Sequence, residues 1–319
     1  MEIHGREALV VARWTAADIP DQTGRVAVVT GANSGIGYRA AEALARAGSA
    51  VLLACRSAPK GAAALDRLRA AVPAAAGRIE VRPLDLADLD SVRAFADATT
   101  GPLDLLVNNA GIMNVPTRHT TAQGFEAQFG TNHLGHFALT GLLLPRLLER
   151  PGARVVTLSS VMHKFGSPSL LDDPQSERRY SATGAYNFSK LANAWFTLEL
   201  DRRLRAAGAP VASLGAHPGY TATNLVTTGP GANGATLFTV LSAAATKVIG
   251  QSAATGALPT LRAATDPAAA GGEYYGPGGP GELRGRPVRV RYTAAAYDEP
   301  NARRLWEYSA DVTGVPITL

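Results

Sequence analysis

Tyr186 and Lys190, four residues apart, are the pair of side chains in this sequence from which acid–base chemistry is most readily built. Residues 181–206 read as one helix, so the two lie on one face about a turn apart. A free tyrosine holds its proton to about pH 10. An ammonium beside it favours the phenolate and draws the phenol toward the working range, making it a proton donor and acceptor for a carbonyl or an alcohol. The same spacing also occurs between mere neighbours on a solvated helix face. With 9 Tyr and four Lys in 319 residues, it arises by chance in about one chain in ten. Its weight therefore rests on the elements around it.

Upstream, 26–30 is a short apolar run of the kind buried in a parallel sheet. It leads into Thr30-Gly31-Ala32-Asn33-Ser34-Gly35-Ile36-Gly37 and a helical stretch over 38–47. Strand, glycine turn and helix put free N–H groups and the positive end of a helix dipole where a pyrophosphate binds. Gly31, Asn33, Ser34, Gly35, Ile36 and Gly37 are candidate cofactor contacts on that basis, the alternative being a glycine turn without a ligand. A second strand, 50–55, ends on Arg56 and Ser57, and no acidic residue occurs between Ala43 and Leu65. A site for NAD carries Asp or Glu at this strand end, whereas arginine suits the 2′-phosphate of NADP. The alternative is an exposed arginine with no role.

Beyond it, 60–72 reads as helix, 79–82 as strand and 89–98 as helix. Asp85 either contacts the adenine edge or caps the next helix. The run 103–107 ends in Asn108-Asn109-Ala110-Gly111, at the strand end where open α/β sheets bind ligands. A long apolar-periodic stretch over 123–149 contains Asn132, and strand 154–158 closes on Ser159 and Ser160. Residues 163–182 read as an inserted surface loop. A strand over 210–215 runs into His217-Pro218-Gly219-Tyr220-Thr221-Ala222-Thr223. The glycine-rich 229–234 interrupts a helical segment and is a candidate lid. Helix 252–265, a last strand over 272–276 and an amphipathic helix over 302–310 complete the chain. Residues 1–24 form an arm whose Trp14 and Ile19 pack on the body or on a partner. Alternating strand and helix implies an α/β fold with a parallel sheet covered on both faces.

Composition narrows the classes. At 46% hydrophobic and 18% charged, the chain can bury a sizeable core. Its one cysteine, Cys55, excludes an internal disulfide framework and a cysteine-based zinc site. His133, His136 and His163 lack carboxylate or cysteine companions at ligand spacing, so no metal is expected. Residues 1–6 lack the form of a signal peptide, and no apolar stretch reaches the ~18 residues that span a bilayer, so a soluble cytoplasmic protein is expected. The net charge of +5 suits anionic ligands, or is a scattered arginine-rich surface; no segment has the density of a nucleic-acid platform.

Thr30-Gly31-x-x-x-Gly35-x-Gly37, Asn108-Asn109-Ala110-Gly111, Asn132, Ser160, Tyr186-x-x-x-Lys190 and Pro218-Gly219, in this order, resemble the short-chain dehydrogenases/reductases over residues 24–275. Ala54-Cys55-Arg56, the loop after Ser160, Ser189-Lys190-Leu191-Ala192-Asn193 and His217-Pro218-Gly219 look most like the retinol dehydrogenase and WW-domain oxidoreductase branch. The resemblance implies a single-domain Rossmann fold over 25–319, with a seven-stranded parallel sheet, a substrate loop at about 220–252 and a C-terminal tail. It also implies roles. Tyr186 exchanges a proton with the substrate oxygen, and Lys190 lowers the phenol's pKa and holds the nicotinamide ribose. Ser160, preferred to Ser159 as the second of the pair, hydrogen-bonds the substrate oxygen. Asn132 holds a water that connects Lys190 to solvent. Asp85, Leu86, Asn109, Ala110 and Gly111 join the cofactor contacts, as do Pro218, Gly219, Tyr220, Thr221 and Thr223. Two departures stand out: no amino-terminal anchor is seen, which weakens a retinoid assignment, and Tyr38 stands where NADP-preferring members often carry a basic residue.

The function expected is NADP(H)-dependent interconversion of a ketone or aldehyde and its alcohol, NADP(H) being preferred over NAD(H). The substrate expected is a small apolar carbonyl compound. Met113, Met162, Leu225, Phe238 and Leu241 line its cleft or belong to the core. A homodimer or homotetramer is plausible for this family. The rivals are a non-catalytic NADP(H)-binding sensor or scaffold on the same fold, and a nucleic-acid binder driven by the basic charge.

Overall fold

The computed structural model describes residues 14–221 and 250–319. Strands form where apolar, β-rich runs are bounded by turns: β1 Val26–Thr30, β2 Ala50–Cys55, β3 Ile79–Pro83, β4 Leu105–Asn108, β5 Ala153–Leu158, β6 Val211–Ala216, β7 Tyr274–Pro277 and β8 Pro287–Val290. They make one sheet in the order β3-β2-β1-β4-β5-β6-β7-β8. The first seven are parallel, as expected. The eighth, antiparallel to β7, was not foreseen. Its four residues begin with proline and are half-exposed, so neither length nor alternation marks it. It lies at an edge, where a proline is tolerated.

The helices among the described residues are α1 Gly35–Arg46, α2 Ala58–Ala71, α3 Leu89–Ala98, the short α4 Ala127–Phe129, α5 Gly135–Leu148, α6 Ala182–Ala206, α7 Ala253–Thr265 and α8 Glu299–Thr313. One face of the sheet packs on α1 and α7 through Ala41, Leu44 and Leu261, with Trp14 of the amino-terminal arm in the same cluster. The other packs on α3 and α5 through Val92, Phe95, Phe137 and Leu144. Two covered faces account for the near-continuous apolar strands.

Three expectations change. The 123–149 stretch is not one regular helix: between α4 and α5, Gly130–Leu134 is a π-helical turn. Residues 163–182, read as an inserted surface loop, carry local structure. They contain two 3-10 turns, Val161–Phe165 and Pro168–Asp172, anchored by the buried His163 and Leu171. The final helix is longer than 302–310, because Asp298 caps its start by accepting from the Asn301 N–H at 3.1 Å and Gly314 ends it at φ 63°. The 229–234 candidate lid lies outside the described residues.

Candidate functional site

The carboxyl ends of β1, β4 and β5 bring the expected residues to one edge of the sheet. Gly31 and Gly35 take positive φ, 66° and 58°, which favours glycine. A Cβ on Gly37 would come within 2.6 Å of the Gly31 carbonyl oxygen, so α1 begins hard against the turn. Ser34 is the N-cap of α1 but makes no side-chain cap bond. This arrangement fits a dinucleotide phosphate, with an exposed hydroxyl and unpaired first-turn amides facing one place. Asn33 sits in the turn, its carbonyl accepting from Arg67 at 3.0 Å. Ile36 and Leu86 have buried side chains in the core. Arg56 is exposed at the end of β2, and Ser57 caps α2.

Asp85 does not cap α3; Asp88 does. The Asp85 carboxylate instead accepts from the Ala87 N–H at 3.0 Å, closing a local turn. Asn109 donates through Nδ2 to the Thr30 carbonyl at 2.7 Å, and the Asn109 and Ala110 N–H groups both donate to Thr30 Oγ1 at 2.9 Å. That fixes the Asn-Asn-Ala-Gly turn to the glycine turn. Gly111 lies beside Asn132 and Lys190: a Cβ there would be 3.1 Å from Asn132 Oδ1 and 3.6 Å from Lys190 Nζ.

Asn132 sits in the π-helical turn, a local irregularity common at functional sites. Its Oδ1 accepts from the Ile112 N–H at 2.8 Å, while Nδ2 donates to the Ile112 carbonyl and to Ser189 Oγ at 2.9 and 3.0 Å. The two serines after β5 part company, as alternation along an extended chain requires. Ser159 Oγ donates to the Lys190 carbonyl at 2.7 Å. Ser160 Oγ accepts from the Met162 N–H at 3.2 Å and is near enough to the Tyr186 phenol to oppose the rise in its pKa.

Both residues of the α6 pair are buried. Lys190 Nζ is 5.8 Å from the Tyr186 ring centroid and donates to the Leu158 carbonyl at 3.2 Å. The expected depression of the phenol by the lysine is not what this geometry gives. Burial pushes Tyr186 up to about 12, with the Ser160 hydrogen bond opposing it. Burial likewise pushes Lys190 down to about 8. With the Lys190 ammonium bonded to the Leu158 carbonyl and both side chains stripped of water, desolvation is the larger effect on each group.

After β6, the Thr221 hydroxyl donates to the Pro218 carbonyl at 2.8 Å and the Tyr220 N–H to the Leu283 carbonyl at 2.7 Å. Gly219 has φ 66°. Thr223, Leu225, Phe238 and Leu241 lie outside the described residues; Met113 and Met162 are half-buried.

Sequence reasoning missed several contributors. His136 joins two parts of the site: its Nδ1 meets the Asn132 carbonyl and its Nε2 meets Thr30 Oγ1, each at 2.9 Å. The carbonyl can only accept, so Nδ1 carries the proton and Thr30 donates to Nε2. Burial pushes this imidazole down to about 4, keeping it neutral. Arg67 and Arg39 lie over the Tyr38 ring at 4.9 and 5.6 Å, and Arg39 also pairs with Glu42 at 2.6 Å. Histidine four residues after Asn132 was the available signal, visible only once the π turn is known.

The model of the short chain dehydrogenase family matches residues 25–230, more than half of the chain, and the chain belongs to that family. Mouse (Mus musculus) retinol dehydrogenase 12 is 48% identical over 199 residues, which span 61% of this chain and 61% of that protein. Human (Homo sapiens) retinol dehydrogenase 13 is 38% identical over 297 residues, covering 92% of this chain and 85% of that protein. The chain thus lies close to the retinol dehydrogenase branch. A crystal structure of a protein from Mycobacterium paratuberculosis superposes with a TM-score of 0.79 at 45% identity, covering 96% of this chain and 99% of that one. Members are oxidoreductases of alcohols and carbonyls that bind NAD(P). No helix among the described residues is long and apolar enough to cross a membrane.

Proposed function

We propose that the protein is a cytoplasmic, NADP(H)-dependent oxidoreductase that interconverts a ketone or aldehyde and its alcohol, with Tyr186 moving the proton. The observation that carries this reading is the buried phenol of Tyr186 with the Lys190 ammonium 5.8 Å from its ring, and Asn132 and Lys190 both beside Gly111 of the Asn-Asn-Ala-Gly turn. A phenol held up near 12 keeps its proton at neutral pH, so it is ready to donate to a carbonyl oxygen, which is the reductive direction. Ser160, preorganised by the Met162 N–H, donates to the same oxygen as charge develops on it. Lys190 contributes its positive charge below about pH 8 and holds the nicotinamide ribose. Asn132, locked by Ile112 and Ser189, carries the proton path from Lys190 to water.

The glycine turn and the open amino terminus of α1 hold the pyrophosphate, and Arg56 with Arg39 and Arg67 meets the 2′-phosphate. Asn109, Ala110 and Gly111, with Pro218, Gly219, Tyr220 and Thr221, complete the cradle. A bound nicotinamide supplies the hydride chemistry. The substrate is an apolar carbonyl compound.

The test follows NADPH consumption with a panel of ketones and aldehydes, NADH in parallel, and Tyr186→Phe and Arg56→Glu as controls. Turnover lost in the Phe variant and a cofactor preference moved toward NADH in the Glu variant are expected. Binding of neither nucleotide to the wild type would refute the reading.

A further inference from the structure

The turn that presents Ser160 is closed by a histidine. The Ser160 carbonyl accepts from the His163 backbone N–H at 3.0 Å and also meets the His163 ring at Nδ1, 2.6 Å away. On its other side the ring meets the Thr293 backbone N–H, with 3.0 Å to Nε2. A carbonyl only accepts and a backbone N–H only donates, so one protonation state satisfies both contacts: Nδ1 bears the proton and Nε2 is the acceptor. His163 is fully buried. Tyr274 and Tyr292 present their rings edge-on to it, with centroids at 5.3 and 6.1 Å. Thr293 follows β8 in the C-terminal segment, well beyond the residues matched by the family model. Burial holds the imidazole down to about 4, consistent with a neutral ring.

We propose that His163 is a positioning residue for Ser160: one nitrogen fixes the serine turn, and the other is fixed by the C-terminal segment. This rests on the role of Ser160 given above. The Ser160 hydroxyl leaves the same short turn whose carbonyl the ring holds, and it accepts from the Met162 N–H at 3.2 Å. Losing the ring bond leaves the carbonyl held by the residue-163 backbone N–H alone and lets the turn, and with it the hydroxyl, shift. A misplacement of ~1 Å at such a group costs on the order of a hundredfold in rate.

Two variants of the full chain separate the contacts. In His163→Asn the amide nitrogen takes the place of Nδ1 and keeps the bond to Ser160. In His163→Gln the amide reaches the place of Nε2 and loses it. The expected result is a fall in kcat of roughly 10- to 100-fold for Gln, with the KM for NADPH within about twofold, and recovery to within about fivefold of wild type for Asn. In a Ser160→Ala background the Gln substitution should change nothing further, since it acts through that hydroxyl. Wild-type kcat in His163→Gln, an additive loss in the Ser160→Ala background, or equal losses of kcat, KM and urea midpoint in both variants would overturn the proposal. If the wild type turns over no carbonyl compound, the oxidoreductase reading fails separately. The brace is then decided by nitrogen NMR of the His163 ring at neutral pH, where a proton on Nδ1 alone is expected and a proton on Nε2 overturns it.

Discussion

Lys190 is a buried ammonium with one acceptor, the Leu158 carbonyl at 3.2 Å, and removing it should stabilise the protein while impairing it. Burial lowers its pKa from 10.5 to about 8. A difference of that size corresponds to about 3 kcal/mol of preference for the uncharged form in the folded state. Against this, Lys190→Met loses one hydrogen bond, worth ~1 kcal/mol net. The Leu158 carbonyl is not orphaned, because Asn193 Nδ2 donates to it at 3.0 Å. A net gain of roughly 2 kcal/mol at pH 7 is therefore expected, together with loss of turnover, the trade-off common where a site holds a strained group.

The sign of the pH dependence is fixed. Between about pH 8 and 10.5 the unfolded chain keeps the lysine proton and the folded chain does not, so wild-type stability rises with pH across that window. The Met variant lacks this rise. The gap between the two, read as urea midpoints from tryptophan fluorescence at pH 7, 8, 9 and 10, should close as pH increases. Burial holds the Tyr186 phenol up near 12, so over pH 7–10 it keeps its proton in the folded protein and its titration largely cancels in the difference. A Met variant less stable than wild type at pH 7, or a gap that stays constant to pH 10, would refute the reasoning.

Two further outcomes follow from packing and charge. Trp306 is 5% exposed, lies edge-on to Phe137 at 5.2 Å, stacks on Phe196 at 6.0 Å and has Arg203 at 4.5 Å over its ring. Trp306→Ala should cost about 3–5 kcal/mol in urea unfolding, and a loss under ~1 kcal/mol would mean that α8 contributes little to the core. Glu282 accepts from the neutral, buried His217 at 3.0 Å and pairs with Lys164 at 2.7 Å. These partners, His217 first, hold its carboxyl near 2, below the ordinary 4.5. The stability they contribute is present above pH ~4.5 and is lost as pH falls toward 2. Glu282→Gln should flatten acid unfolding in that window and, with the group partly exposed, cost on the order of 1 kcal/mol at neutral pH. An unchanged acid profile would count against the link.

Much of the fold was legible because its signals are local. The runs 26–30 and 50–55 are strands at those bounds, and 89–98 is the helix expected, since apolar periodicity and turn chemistry act over a few residues. β8 was not legible: four residues opening on proline carry no pattern, and only the edge left open by β7 makes them a strand. The anchors in the loop before α6 were not legible for a related reason. The loop's polar composition conceals His163 and Leu171, whose burial depends on α6 and on the C-terminal segment arriving on top of them.

At the site the division is similar. Residue types and spacing alone put Tyr186 and Lys190 on one helix, a glycine turn after the first strand, and an arginine in place of an acid at the end of the second. Those features depend on the order of neighbours along the chain, which the sequence states outright. That Ser159 turns to the Lys190 carbonyl and Ser160 to the Met162 N–H, how Asn132 is locked in a π turn, and how His136 joins it to Thr30 were decided by tertiary structure. So was the direction of the Tyr186 shift. Helical spacing brings an ammonium near a phenol, but the pKa follows from how much water both have lost and where the ammonium's hydrogen bond points. Burial is a property of the whole packed chain, and no local pattern contains it.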